Sequence, residues 1–128
     1  EGKYLYTFDI FKNDFLLFKK DINLGESNIF FNNSLIVKNG NYLQSININN
    51  AKTFWLINDK KISKNSSIIA SRNIENNIEI YLNNGDIIII NNKKIIEIKN
   101  LDVGKINKIF FENDDIIINT ASGKIIIL

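Results

Sequence analysis

Two side chains central to nucleophilic catalysis and zinc binding are missing: the chain has no His and no Cys. Without imidazole or thiol there is no Ser-His-Asp or Cys-His nucleophile system, and the usual zinc ligand sets cannot be assembled. Carboxylates remain. Asp9, Asp14, Asp59, Asp86, Asp102, Asp114 and Asp115 are the acids to weigh as a pair for glycoside hydrolysis. Asp14, Asp59, Asp86 and Asp114 stand beside Asn, Gly or Lys, and the acids as a group are expected in turns, where a carboxylate bonds its own backbone. No Asp-box motif recurs among them. A Ca²⁺ loop needs alternating oxygen ligands around a glycine. Asn83-Asn84-Gly85-Asp86 is too short for that and reads as a hairpin. Trp55, the only tryptophan, has the surface to stack on a ligand, but packing between sheets is the commoner use of so large a ring. These residues predict no catalytic, cofactor-binding or metal-binding set.

The charge pattern is equally plain. Net charge is +2, and the basic residues are 15 scattered Lys and one Arg, Arg72. The pairs Lys60-Lys61 and Lys93-Lys94 fall in turns and read as solvated edges. A nucleic-acid surface needs clustered basic residues with stacking aromatics or base-reading Arg, so no nucleic-acid partner is expected. No unbroken apolar run exceeds Ile87 to Ile90, far short of a transmembrane segment. With no Cys, there is no disulfide framework from which to read a redox compartment.

The elements that must carry these residues are strands. The 28 Ile and 23 Asn dominate the composition, as in proteins from AT-rich genomes. Ile is β-branched and favours strands, whereas Asn tolerates left-handed backbone and favours turns. Gly2, Gly40, Gly85 and Gly123 are spaced 38, 45 and 38 residues apart, and each is followed by one polar and two large apolar residues. A period near 40 residues with strand-like content is that of a β-propeller blade, four antiparallel strands a to d from the axis outward. The reading is an all-β propeller segment of about three blade equivalents. Residues 1–22 supply strands c and d of a partial blade, 27–58 and 66–100 are complete blades, and 106–128 supply strands a to c of the last. The turns Asn39-Gly40 and Asn84-Gly85 are expected to be tight b–c hairpins. The segment from Ser71 to Asn77 is expected to be a longer a–b connection that helps explain the 45-residue step. Gly25 and Gly104 are expected to mark the crossovers between blades.

Ser45-x-Asn47-x-x-Asn50-Ala51-x-x-x-Trp55 keeps the spacing of the docking motif Ala-x-Asp-x-x-Thr-Gly-x-x-x-Trp. That motif belongs to quinoprotein-type (PQQ-like) propellers, which the chain resembles. A weaker copy follows Gly2, with Thr7 and Asp9 in matching places and Leu17 at the tryptophan position. Within that superfamily the ending, from Asp115 to Leu128, is similar to the C-terminal part of the BamB family, propeller lipoproteins of the bacterial outer-membrane barrel-assembly machinery. The resemblance implies that Trp55 packs between adjacent blades and that strand d of the last blade comes from elsewhere in a longer chain.

The resemblance also implies a non-catalytic, protein-binding scaffold with no cofactor. Its partner would be the barrel insertase, and its location the periplasm, held at the outer membrane by a lipid anchor upstream of Glu1. Two alternatives stand beside it. One is a fragment of a PQQ-dependent dehydrogenase, which would need a Ca²⁺ ligand set and a tryptophan floor. The other is a lectin propeller closing as a homo-oligomer, which would need repeated Trp and acidic positions. So few blades cannot close a ring, so the Ile-rich edges are expected to meet missing blades or another protomer. The isolated chain is expected not to be a stable, soluble monomer.

Overall fold

The computed structural model describes residues 27–128 throughout and, before them, the backbone of two strands, β1 (Tyr4–Phe8) and β2 (Leu16–Asp21). Gly2, Asp9, Asp14 and Gly25 lie outside the described residues. The first four-stranded sheet is β3 (Ser27–Phe31), β4 (Ser34–Asn39), β5 (Tyr42–Asn47) and β6 (Thr53–Asn58). The second is β7 (Ile68–Ile74), β8 (Asn77–Leu82), β9 (Asp86–Asn91) and β10 (Lys94–Asn100). The last has three strands, β11 (Ile106–Glu112), β12 (Asp115–Thr120) and β13 (Ile125–Ile127). Every sheet pairs its strands antiparallel in sequence order, and β1 pairs with β2 in the same way. This is the all-β architecture of partial propeller blades, with β3, β7 and β11 as adjacent innermost strands.

The apolar pattern explains the stacking. Strand β9 carries four consecutive buried isoleucines. Side chains alternate faces along a strand, so a strand with no polar face must be covered on both sides. Ile88 and Ile90 join Ile80, Leu82, Ile36, Leu43 and Trp55 in the core between the first and second sheets. Ile87 and Ile89 join Tyr81 and Ala70 in the core that meets Ile109, Phe111 and Ile116 of the last sheet. A third cluster of Leu35, Val37 and Ile46 lies on the face of the first full sheet turned away from the second. Polar contacts tie the sheets as well. The Ser27 hydroxyl accepts from the Ile68 N–H at 2.9 Å, and the Asn83 carbonyl accepts from the Ile106 N–H at 2.7 Å. The Lys38 ammonium, wholly buried, donates to the Gly40 carbonyl at 2.9 Å and so braces the b–c turn.

Several expected connections take another form. The segment 71–77 is not a long loop: β7 runs on to Ile74 and turns through Glu75-Asn76 alone. Ser71, Arg72 and Asn73 break the apolar run that would mark a strand, yet Arg72 sits in register opposite Glu79. The long connection is instead the crossover 59–67, against 101–105 at the next junction. The first b–c turn is Gly40-Asn41 rather than Asn39-Gly40, because Asn39 pairs with Tyr42 and only Gly40 takes positive φ, at 57°. The next b–c turn uses three residues. Gly85 closes it, donating to the Leu82 carbonyl at 3.0 Å with φ 93°. Gly123 repeats that geometry, donating to the Thr120 carbonyl at 3.0 Å. The turn with both central residues left-handed is the c–d turn Asn92-Lys93, at φ 47° and 65°.

Candidate functional site

Strand β8 is the source of the most unusual side-chain cluster among the described residues. Side chains alternate faces along it, so Ile78, Ile80 and Leu82 face the first sheet while Glu79 and Tyr81 face the last. A carboxylate aimed into an apolar interface requires a partner. Arg72, opposite it on β7, supplies one: its Nε donates to Glu79 Oε2 at 2.9 Å. The Tyr81 hydroxyl donates to the same oxygen. Across the sheet junction, the Phe111 ring on β11 lies 5.2 Å from the Tyr81 ring at a tilt of 57°. The Arg72 guanidinium sits 4.8 Å from the centre of the Phe111 ring and 5.7 Å from that of Tyr81. Both are within cation–π range.

The cluster sets the acidities of its members. Burial pushes the Tyr81 phenol well above its ordinary value, and the hydrogen bond to Glu79 and the Glu79 charge push the same way. Burial by itself would lower the Arg72 pKa, but the bond to Glu79 and the charges of Tyr81 and Glu79 raise it. The arginine is therefore a fixed cation whose charge Glu79 balances. The side chain of Arg72 forms one wall of an open cleft of about 490 Å³, lined also by Asn73, Ile74, Phe111, Asn113 and Asp114. It lies at the a–b turn end of the junction between the second and last sheets.

Among the described residues, two of the acids singled out by sequence use their carboxylates to shape turns. Asp59 accepts the Lys61 N–H, at 2.9 Å. Asp86 accepts from the Asn84 and Asn100 amides, at 2.6 and 2.8 Å. The N–H of Asp102 is bonded to Asn100 Oδ1. Asp114 and Asp115 are exposed at the last a–b turn. Among the described residues, no three His, Cys, Asp or Glu side chains converge as metal ligands. Gly40, Gly85 and Gly123 all sit in b–c turns at positive φ. A Cβ on Gly85 would meet Asn100 Oδ1 at 3.3 Å. Trp55 is 8 % exposed, in the core between the first and second sheets. The structure does not bring these markers together into a site.

Sequence reasoning did not single out the Arg72–Glu79 pair. Two signals for it were present. Arg72 is the only arginine among 16 basic residues, and Glu79 interrupts an otherwise apolar strand.

No family model and no curated protein sequence matches the chain. Among solved structures, the crystal structure of BamB from Moraxella catarrhalis is similar over 98 % of this chain, with a TM-score of 0.69 and 17 % sequence identity. The chain spans 37 % of the length of that protein. In fold, it resembles a segment of a BamB-like propeller.

Proposed function

We propose that this chain is a non-catalytic propeller segment that binds proteins during the assembly of outer-membrane β-barrels. The observation that carries the reading is the fold match to BamB along nearly the whole chain. The surface agrees with a segment that needs covering beyond its last sheet. On the face of the first full sheet turned away from the second, Leu35, Val37 and Ile46 are already buried, and Phe30 and Leu56 at its margins are 66 % and 60 % exposed. On the opposite end, Phe110, Ile125 and Ile127 are 55 %, 72 % and 65 % exposed. Strand β13 pairs with β12, and Ile116 and Leu128 exchange both backbone bonds at 2.9 Å. By alternation, the N–H and C=O groups of Ile125 and Ile127 point to the other edge. Apolar faces and open edges of this kind bind further blades, from a longer chain or another protomer. On this reading the protein works in the periplasm, held at the outer membrane by a lipid anchor upstream of residue 1.

The test is direct binding. The chain, with its upstream coding region, is titrated onto immobilised periplasmic domains of the barrel insertase from the same organism. Saturable binding in the micromolar range is the expected result. No binding up to about 100 μM, a free energy near −5.5 kcal/mol, would overturn the reading.

A further inference from the structure

We propose that the cleft between β7 and the β11–β12 turn is a docking groove for one kind of ligand, an extended peptide segment of a protein partner in which an apolar residue is flanked by basic ones. The proposal rests on the protein-binding reading above and names the chemistry of one contact.

The groove has apolar walls, fixed polar groups and a net sign. Ile74, 37 % exposed, and Phe111 form walls on its two sides. A single aliphatic side chain laid between them would cover apolar surface that the fold leaves open. Asn73 and Asn113, both exposed, present amides that donate and accept, the chemistry a peptide main chain requires. Arg72 adds a donor held in place by Glu79 and by the Phe111 ring. Because Glu79 balances its charge, Arg72 does not make the groove basic.

The rim decides the sign. Asp114 lines the groove and Glu75 stands in the facing turn, both exposed; Glu112 and Asp115 flank the same turn as Asp114 but, by alternation, point to the other face of the last sheet. No Lys or Arg lies within 73–78 or 109–116. The nearest lysine pair on this face, Lys93 and Lys94, belongs to the next hairpin out, beyond Asn91, whose side chain donates to Asn77 Oδ1 at 2.7 Å. An acidic rim around apolar walls selects a cationic, apolar segment and repels an acidic one. The corresponding turn of the first full sheet, Asn32-Asn33, carries no charge, so among the described residues the acidic rim belongs to this junction.

The test uses the full chain and fluorescein-labelled pentapeptides, Lys-Leu-Lys-Leu-Lys and Glu-Leu-Glu-Leu-Glu, read by anisotropy. The basic peptide is expected to bind and the acidic one not to. Asp114→Lys should weaken binding about fivefold or more, since reversal replaces an attraction by a repulsion. Ile74→Asp should weaken it about tenfold. Glu97→Lys, on β10, should leave it unchanged. All three sites are exposed, and a thermal melt checks that each variant stays folded. Equal binding of the two peptides, no effect of either groove variant, or displacement by spermidine as effective as by unlabelled peptide would overturn the proposal. If the insertase domains still bind while both groove variants leave all binding unchanged, the groove is refuted and the protein-binding reading stands. If the insertase domains fail to bind the unaltered chain, that reading itself is refuted.

Discussion

Truncation of Trp55 should loosen two sheets, not one. The indole is 8 % exposed and shares its cluster with Ile36 and Leu43 of the first full sheet and with Ile68, Ile80, Leu82, Ile88 and Ile90 of the second. A buried tryptophan removes about 150–250 Å² from water. At about 25 cal/mol per Å², that is about 4–6 kcal/mol. Because neighbours collapse partly into the space, Trp55→Ala should cost about 3–5 kcal/mol. At a typical stability of about 0.1 kcal/mol per residue, this is a large share of the total. The melting temperature should fall by about 10–20 °C for a chain of this size. Trp55→Phe should retain more than half of the stability lost in the alanine variant. The assay is urea denaturation of the chain expressed with its upstream coding region, so that its open edges are covered, followed by far-ultraviolet circular dichroism and by backbone amide exchange resolved by residue. Exchange should quicken at Ile80 and Ile88 as well as within β5 and β6. A loss under about 1 kcal/mol, or faster exchange confined to β3–β6, would refute the claim that this ring couples the sheets.

The turn geometry and the buried phenol give two further outcomes. Lys93 is held at φ 65° as the second residue of a turn whose first, Asn92, is also left-handed. Left-handed backbone costs an L-residue about 1–2 kcal/mol, and glycine gives back part of that relief as lost freedom on folding. Lys93→Gly should therefore raise stability by about 0.5–1 kcal/mol, seen as a higher urea midpoint with an unchanged slope; a lower midpoint would contradict the turn geometry. The buried Tyr81 phenol keeps its proton to higher pH in the folded chain than in the unfolded chain, where it titrates near 10.0. The stability this adds is complete below that pH and is lost as pH rises above it, by up to about 1.4 kcal/mol per pH unit. Tyr81→Phe should show a shallower decline in stability above pH 10 than the unaltered chain, and parallel declines would contradict the assignment.

Much of the architecture was legible because strands write themselves in period two. The run from Ser45 to Ile48 alternates polar and apolar, and the b–c turns carry the Asn and Gly that left-handed backbone favours. The run Ile87 to Ile90 was harder. Its periodicity is nil, and only its place between two other sheets explains why both faces are apolar. Turn registers were misread by one residue at Gly40, since Asn-Gly and Gly-Asn are both good turn pairs and the choice falls to cross-strand pairing. The extent of β7 was misread for a related reason. Arg72 and Asn73 look like loop residues until Glu79 is placed opposite them.

By itself, the sequence determined the fold class, the blade period and the absence of His and Cys, because these rest on local propensity and on the inventory of side chains. The cleft and its charge balance are different. Arg72, Glu79, Tyr81 and Phe111 come from three strands on two sheets, and no spacing along the chain brings them together. Which acids line a groove and which cap a turn depends on the stacking of β7 against β11. That stacking is set by burial across the junction, a long-range effect that only the tertiary structure resolves.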